Sequence, residues 1–337
     1  SEEKCMDASI SRIINKAFDG TLLSNQEIAA LFKAEDLSEE AFAIQRAGRL
    51  FSAELLGGKA EVHGQVGINV APCPMDCEFC SFAASNNVFD TSVDLGIEEV
   101  VEGVLSMEAK GANAIYVMET ANYPFEQFIT IGKAVKAALQ TNIPLIANVG
   151  DFDEDGAKAL RAVGYTGVYH AIRMGEGEHT RIPVKRRLKT IEAAHFAGLT
   201  VGTCVEPVGP EHSIEELVEK TVLTREIGAV FSGAMRRTLI PSSPLARHGQ
   251  LSYLRMATIV AAVSLATGTV VPGNCTHEPN QLACYTGANL VWAEVGSNPR
   301  DTNAETVRGW TVDRCRDLLK ECGWDVLDGP SLMFAGH

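Results

Sequence analysis

Short apolar runs alternate with amphipathic stretches along most of the chain. Eight runs of strand length recur, at residues 66–71, 113–118, 143–149, 166–172, 199–205, 229–235, 268–273 and 289–295. The segments between them carry apolar residues at helical spacing. Continuous apolar runs favour a parallel sheet covered on both faces. Eight strand–helix repeats therefore predict a complete (β/α)8 TIM-type barrel within the α/β class, with a doubly wound sheet as the alternative.

The first part of the chain has a different pattern. Residues 5 to about 57 show helical spacing without strand-like runs, and Ser24 with Glu27 has the pattern of a capping box. A second amphipathic helix is predicted to start at Ser38 and to stop at Gly57 and Gly58. We therefore expect an N-terminal helical extension over 1–60 and a barrel domain over 61–337.

Composition narrows the class of protein. The chain has 337 residues, of which 46% are hydrophobic and 21% are charged, so it can bury a substantial core. Its formal net charge of −14 argues against nucleic-acid binding, which needs a basic face. The sequence has no apolar run of membrane-spanning length, and its first residues are polar and acidic. We therefore expect no transmembrane helix and a cytoplasmic location.

The nine cysteines are unevenly spread along the chain. In a reducing cytoplasm, clustered cysteines indicate metal ligands, whereas isolated ones are typical of the core. Cys284 is predicted on a helix that packs on the barrel, and Cys315 and Cys322 fall on one face of the last helix. These three are predicted to be core residues.

One cluster, "CPMDCEFC", directly follows the first predicted strand. A barrel places its chemistry at the carboxyl ends of its strands, so Cys73, Cys77 and Cys80 should lie at the mouth. A structural zinc site would need four ligands, and there is no second pair of cysteines to complete one. A disulfide between two of these three cysteines would leave the third thiol unpaired. Three thiolates can instead hold three corners of a 4Fe-4S cluster, with the fourth iron open to a non-protein ligand.

The C-x3-C-x2-C spacing, with Phe79 before the last cysteine, resembles the radical S-adenosylmethionine (radical SAM) superfamily. The resemblance implies that the open iron binds S-adenosylmethionine and that one electron cleaves it to a 5′-deoxyadenosyl radical. This radical would then take a hydrogen atom from the substrate. Phe79 would pack near the adenine.

The order of further segments is similar to the biotin synthase-like branch, which includes biotin synthase, methylornithine synthase and a diiron-hydrogenase maturase. These segments are "EVHGQVGINVAPCPMDCEFC", "RRLKTIEAAHFAGLTV", "EPVGPEHSIEE", "IPSSPLA" and "YTGANLVW". Members of this branch have complete eight-stranded barrels, in agreement with the strand count.

The resemblance implies roles for several cofactor-binding residues. Arg187 matches an arginine that approaches the carboxylate of S-adenosylmethionine, with a solvated helix arginine as the alternative. The branch usually binds the methionyl amine with a Gly-Gly-Glu-like motif, but residues 118–124 lack the glycines and offer Glu119, Thr120 and Asn122.

Two residues after the fourth predicted strand, His170 and Arg173, should face the mouth. Arg173 would suit a carboxylate of the substrate or cofactor, or would form a salt bridge to a glutamate such as Glu206.

A second iron–sulfur cluster is a further hypothesis. Biotin synthase draws ligands for one from its second, third and fifth strands, but the first two of these carry no cysteine here: they end in Tyr116 and Met118, and in Ala147 and Asn148. Cys204 on the fifth strand and Cys275 on the seventh are expected to point into the mouth and to hold part of such a cluster. Cys5, His277, inorganic sulfide or an external thiol would complete it. The alternative is that both cysteines belong to the core.

These observations favour a radical SAM enzyme that inserts sulfur into an unactivated C–H bond, as in biotin or lipoyl formation. The alternatives are a single-cluster rearrangement or cofactor-maturation enzyme, and a non-catalytic iron–sulfur scaffold. The expected partners are a small-molecule or carrier-protein-bound substrate, a low-potential electron donor and, for lipoyl formation, a second radical SAM protein. Neither nucleic acid nor a membrane is an expected partner.

Overall fold

The computed structural model describes residues 7–302 and 309–335, and its central feature is a closed parallel barrel. Eight strands pair side by side in the order β1, β4, β5, β6, β7, β9, β10 and β11, and β11 pairs with β1 to close the ring. The strands are β1 (Lys59–Gly67), β2 (Asn69–Val70), β3 (Val93–Asp94), β4 (Ala114–Met118), β5 (Leu145–Asn148), β6 (Gly167–Tyr169), β7 (Thr200–Gly202), β8 (Val205–Val208), β9 (Phe231–Arg236), β10 (Gly273–Cys275), β11 (Leu290–Gly296) and β12 (Asp325–Val326).

Helices between the strands surround the barrel and complete the predicted (β/α)8 fold. Short β2 and β3 form a separate antiparallel pair beside the mouth, and β8 continues the line of β7. The helices are α1 (Ala8–Phe18), α2 (Asn25–Phe32), α3 (Glu39–Leu55), α4 (Ile97–Ala109), α5 (Phe125–Ala138), α6 (Glu154–Val163), α7 (Val184–Phe196), α8 (Ile214–Glu226), α9 (Tyr253–Thr267), α10 (Gln281–Tyr285) and α11 (Val312–Glu321).

The N-terminal helices pack on the outside of the barrel. The predicted capping box at Ser24 and Glu27 is present at the start of α2, and Ser38 caps α3. Helix α3 crosses α9 so closely that a Cβ added at Gly48 would lie 2.6 Å from the Cα of Ala261. Strand β1 begins directly after α3, at Lys59. The division into an extension and a barrel domain at residue 60 remains a prediction.

Two strand predictions were misplaced. The first strand is Lys59–Gly67 rather than 66–71, and the seventh is Gly273–Cys275, because residues 268–270 form a 3₁₀ turn. The first strand was missed because it carries polar residues toward the barrel interior. His63 Nε2 lies 2.8 Å from Oε2 of Glu61, and His63 Nδ1 lies 3.0 Å from the hydroxyl of Tyr116. Each of these buried polar side chains therefore has a hydrogen-bond partner, so the strand can carry them inside the barrel.

One segment, Tyr253–Val270, is long and apolar enough to cross a membrane, and 72% of it is buried inside the protein. It consists of α9 and the turn that follows. Helix α9 packs against α3, α8 and strand β9, so its apolar surface is covered by this chain. The segment is thus a core helix of the barrel.

Candidate active site

The three clustered cysteines lie on a loop that closes on itself at the carboxyl end of β1. This cluster loop, residues 73–84, is held by backbone hydrogen bonds from Cys73 N to Phe82 O (2.7 Å) and from Ala84 N to Cys73 O (3.1 Å). Cys80 N donates to Cys77 O at 2.8 Å. Asp76 has a positive φ of 46°, which turns the chain sharply between the first two cysteines. The C-x3-C-x2-C motif therefore folds as a tight loop.

Neighbouring segments fix the position of the cluster loop. The side-chain amide of Asn86 donates to Glu78 O (3.0 Å) and to Cys80 O (2.8 Å). The hydroxyl of Ser243 also donates to Glu78 O, at 2.6 Å, and Glu78 N donates to His179 O at 2.9 Å. These contacts come from loops after three different strands, so the loop is positioned before any ligand binds.

The chemistry and spacing of the three thiols fit an iron–sulfur cluster. Burial raises the pKa of Cys73, Cys77 and Cys80, so the thiols are neutral until a metal displaces their protons. Among the described residues, only Cys204, Cys275 and His277 bring three His, Cys or carboxylate ligand atoms within 4.8 Å of one another. The three loop thiols do not all lie within that distance of one another. This is compatible with a cluster, in which each thiolate binds a different iron.

A cavity, partly open to solvent, lies over the cluster loop at the barrel mouth. Most of the predicted site residues line it: Cys73, Cys77, Phe79, Cys80, Glu119, His170, Arg173 and Arg187. Asn122 does not, since its side chain is exposed outside the cavity. The contact of Asn122 with the cofactor stays a prediction, although its side chain does not line the cavity. Asn122 sits on the turn before α5, which faces solvent.

Glu119 offers an unpaired carboxylate oxygen to the cavity. Its Oε1 accepts a hydrogen bond from Gly150 N at 3.2 Å, and its buried Oε2 has no hydrogen-bond partner in the described chain. Burial raises the pKa of Glu119 to about 8, against the weaker effect of the Gly150 hydrogen bond. A cationic ammonium group would donate a hydrogen bond to the free oxygen and would balance the negative charge of the ionised carboxylate. This geometry suits the predicted role in binding the methionyl amine.

Arg187 is buried beneath the cavity wall rather than solvated. Its Nη1 lies 3.4 Å from Oδ1 of Asp151, and its Nε lies 3.3 Å from Oε2 of Glu176. His170 Nε2 lies 3.1 Å from the same Asp151 oxygen. Burial opposes ionisation of Asp151, but the hydrogen bond from His170 and the charge of Arg187 outweigh it and lower its pKa to about 2. Burial lowers the pKa of His170 to about 4, so its imidazole is neutral.

Arg173 forms the salt bridge that was considered as an alternative to a substrate contact. Its Nε lies 3.2 Å from Oε1 of Glu206, which also accepts a hydrogen bond from the hydroxyl of Tyr169 at 2.5 Å. Both members of the pair line the cavity. A ligand that approaches Arg173 therefore meets an arginine whose charge is already compensated.

Sequence reasoning missed a polar wall that follows the last strand. Glu294 accepts hydrogen bonds from Gln65 Nε2 at 3.2 Å and from Asn298 Nδ2 at 2.8 Å, and it forms an ion pair with Arg300. These four residues line the cavity together with Asn148. The run "EVGSNPR" at the end of the eighth strand was the available signal, since residues after each barrel strand face the mouth.

Cys204 and Cys275 were expected to point into the open mouth. They lie close together but do not face it. They are 2% and 0% exposed, lie in the packed barrel interior, and do not line the cavity, whereas His277 beside them does. Cys5 lies outside the described residues. Cys284, Cys315 and Cys322 are buried, as predicted for core residues.

Comparisons with known proteins agree with this arrangement. Residues 72–222, which run from the cluster loop into α8, match the family model of the radical SAM superfamily. The biotin synthase of Clostridioides difficile is 25% identical over 236 residues, which cover 66% of this chain and 70% of that protein. The biotin synthase of a Nocardioides species is 24% identical over 265 residues, covering 76% and 70%.

Residues 72–222 form a radical SAM domain, and the matches to biotin synthases support a biotin synthase-like branch of that superfamily. The chain is a radical SAM enzyme, and the family implies a 4Fe-4S cluster and S-adenosylmethionine as cofactors. Solved structures share its fold. The FeFe-hydrogenase maturase HydG from Carboxydothermus hydrogenoformans superposes with a TM-score of 0.78 at 18% identity, over 97% of this chain and 81% of that one. Methylornithine synthase superposes with a TM-score of 0.79 at 16% identity, over 95% and 98%.

Proposed function

We propose that this radical SAM enzyme inserts sulfur into an unactivated C–H bond, as in biotin or lipoyl formation. The observation that carries the proposal is a second thiol site, Cys204 with Cys275, beside a residue that lines the cavity. When bound, the 4Fe-4S cluster supplies the electron that cleaves S-adenosylmethionine to methionine and the 5′-deoxyadenosyl radical. The remaining steps depend on where this chain holds the cofactor, the substrate and the sulfur.

The cavity residues support a specific orientation of S-adenosylmethionine. Cys73, Cys77 and Cys80 would hold the cluster, and the free carboxylate oxygen of Glu119 would accept the methionyl ammonium. Arg187 would attract the carboxylate while Asp151 and Glu176 hold its guanidinium in place. Phe79 would cover the adenine, and neutral His170 could exchange a hydrogen bond without adding charge.

The sulfur would come from the second thiol site. Cys204 and Cys275 would hold a sulfur-bearing iron centre there, with His277, inorganic sulfide or an external thiol as the other ligands. The apolar ring of Trp292 packs against His277, with ring centroids 4.1 Å apart, and would help to exclude water from this end of the cavity. A carbon radical formed in the cavity above would form its C–S bond with that sulfur, and a ferric iron of the centre would take up the electron released.

A single-cluster reaction, such as a carbon-skeleton rearrangement or a cofactor-maturation step, is the second candidate. The observation that favours it is the chemistry at the ends of β4 and β5. These positions carry Met118 and Asn148, so the ligand set expected for a biotin synthase second cluster is incomplete. A non-catalytic scaffold is a weaker candidate, because it would need neither the free carboxylate of Glu119 nor the buried Arg187.

The expected partners follow from this chemistry. A low-potential electron donor would reduce the cluster, and the substrate would be a small molecule or a group on a carrier protein. In lipoyl formation a second radical SAM protein would share the two sulfur insertions. We place the enzyme in the oxygen-poor cytoplasm, where the cluster and the free thiols would remain reduced.

Isotope transfer distinguishes these reactions. Enzyme reconstituted with ³⁴S-sulfide would be reduced anaerobically with S-adenosylmethionine and either dethiobiotin or an octanoyl carrier peptide. We expect ³⁴S in the product with the native enzyme and with Cys315→Ala, a control that removes a buried core thiol. The Cys204→Ala, Cys275→Ala variant should form 5′-deoxyadenosine but transfer no sulfur. Sulfur transfer by that variant, or 5′-deoxyadenosine without ³⁴S product from the native enzyme, would refute the proposal.

A further inference from the structure

Cys204, Cys275 and His277 form the tightest group of ligand atoms in the described part of the chain. One sulfur from each cysteine and one ring nitrogen of His277 all lie within 4.8 Å of one another. Cys275 ends β10 and His277 follows two residues later, so the two side chains leave the extended chain on the same side. Cys204 reaches the same point from the break between β7 and β8. Barrel closure thus brings two strand ends to one point.

We infer that this triad binds a single divalent metal ion, Zn²⁺ or Fe²⁺. In a tetrahedral site with metal–sulfur distances of about 2.3 Å, neighbouring ligand atoms are separated by about 3.5–4 Å. All three ligand atoms of the triad lie within 4.8 Å of one another, so a small contraction would bring them to that separation. Thiolates that bind different irons of a cubane lie farther apart. Two thiolates and one imidazole are donors that both ions accept.

The surroundings of His277 orient it as a metal ligand. Its Nδ1 lies 4.0 Å from Oε2 of Glu206, whereas its buried Nε2 has no hydrogen-bond partner within the described residues. At 4.0 Å this carboxylate is beyond hydrogen-bond distance, but it places a negative charge on the Nδ1 side of the ring. The ring of Trp292 holds the imidazole from one side. The available nitrogen is therefore Nε2, and an ion would satisfy it.

The thiols lie in packed surroundings, which suit a single ion better than a cubane. Both cysteines belong to a buried cluster with Tyr169, Phe231 and Trp292, and neither lines the open cavity. A cubane of four irons and four sulfides would displace these rings. One ion with three protein ligands keeps the fourth coordination position for an exogenous ligand. That this ligand is hydrosulfide or a thiol rests on the proposed sulfur insertion, whereas the binding of the ion does not.

Cobalt titration tests the site in the full chain. The Cys73→Ala, Cys77→Ala, Cys80→Ala variant removes the cluster site, and Co²⁺ is added to it anaerobically. We expect one Co²⁺ per chain with the thiolate charge-transfer absorption of a tetrahedral site, and its displacement by one Zn²⁺. Adding Cys204→Ser and Cys275→Ser to this background should abolish that absorption and weaken binding at least tenfold. Adding Cys315→Ala instead should change neither. Circular dichroism verifies that each variant is folded.

Three results would overturn the single-ion assignment. They are two or more irons with acid-labile sulfide in the cluster-loop variant, no Co²⁺ binding by it, or an unchanged spectrum in the double serine variant. The sulfur-transfer assay tests the proposed function independently of the ion site. An intact ion site without ³⁴S transfer would refute the proposed function alone, whereas ³⁴S transfer from a multi-iron centre would refute the single ion alone.

Discussion

Arg173 and Glu206 form an ion pair across the cavity wall, with Nε of the arginine 3.2 Å from Oε1 of the glutamate. Glu206 also faces His277, whose Nδ1 lies 4.0 Å from its other oxygen. The pair therefore connects the side of the cavity that carries the cluster loop with the side that carries the second thiol site. Its charges are mutually compensated in a site that excludes much of the surrounding water.

Removing one charge of this pair should destabilise the protein. Glu206→Gln leaves the guanidinium of Arg173 without its carboxylate, and we expect a loss of about 2 kcal/mol in the free energy of unfolding. Urea unfolding of the apo protein measures it. Arg186→Gln is the matched control, because Arg186 pairs with Asp151 at 3.3 Å but is 55% exposed, and should cost less than about 1 kcal/mol. Equal losses in the two variants would contradict the buried-pair interpretation.

The Glu119 carboxyl should make stability depend on pH. Its pKa rises from an ordinary 4.5 to about 8 on folding, so the wild type loses stability as the pH rises through this range. Glu119→Gln has no charge to bury, and we expect it to be about 3 kcal/mol more stable than the wild type near pH 7 and equal to it below about pH 4. Urea unfolding of the apo protein at several pH values measures the difference.

The same substitution should weaken cofactor binding. Once Glu119→Gln has removed the carboxylate that faces the methionyl ammonium, the dissociation constant of S-adenosylmethionine should rise at least tenfold on the reconstituted enzyme. Equilibrium dialysis under anaerobic conditions measures it. An unchanged dissociation constant would show that Glu119 does not contact the amine. A stability difference that does not grow with pH would show that its carboxyl is not buried as described.

Cys77→Ala should abolish the formation of 5′-deoxyadenosine, because two remaining loop thiols cannot position a cluster with one open iron. Chromatography of the anaerobic reaction with dithionite and S-adenosylmethionine measures the product. Cys322→Ala serves as the control, since Cys322 is a buried thiol next to α11 and should leave the yield unchanged. Retained cleavage by Cys77→Ala would refute the assignment of the cluster site.

The contact between α3 and α9 should not tolerate a methyl group at Gly48. A Cβ there would lie 2.6 Å from both Cα and Cβ of Ala261, so Gly48→Ala must push the helices apart, at a cost of about 2 kcal/mol. In Gly103→Ala, within α4, the new Cβ would meet only side-chain methyl groups, those of Val295 at 3.2 Å and Val66 at 3.7 Å. That variant should range from neutral to about 1 kcal/mol stabilising. Thermal unfolding compares them, and a neutral Gly48→Ala would show that this crossing is looser.

Local patterns were enough to predict the fold and the cluster loop. The alternation of apolar runs and helical stretches predicts the barrel, because strand and helix periodicities depend only on neighbouring residues. Ser24, Ser38 and the pair Gly57 and Gly58 mark helix ends through hydrogen bonds and backbone angles within a few residues. Cys73, Cys77 and Cys80 are close in sequence, so their spacing alone indicated a shared metal cluster.

Contacts between distant segments were not predictable in this way. The placement of β1 depends on a partner for His63 in Tyr116, on strands that are far apart in sequence. Asn122 was predicted to bind the cofactor because it lies where the branch usually carries its amine-binding motif, but the turn before α5 places its side chain at the surface. Glu294 and Arg300 pair inside the cavity after the last strand, where the sequence showed only a polar run.

The sequence by itself determined the barrel and predicted a cluster loop on it, because strand and helix periodicity and the three cysteines are local features of the chain. Only the tertiary structure decided that Cys204, Cys275 and His277 meet. These residues come from strands that are far apart in the chain, and barrel closure brings their ligand atoms within 4.8 Å while burying the thiols below the mouth. Distance between strand ends depends on how the whole ring closes, which no local pattern encodes.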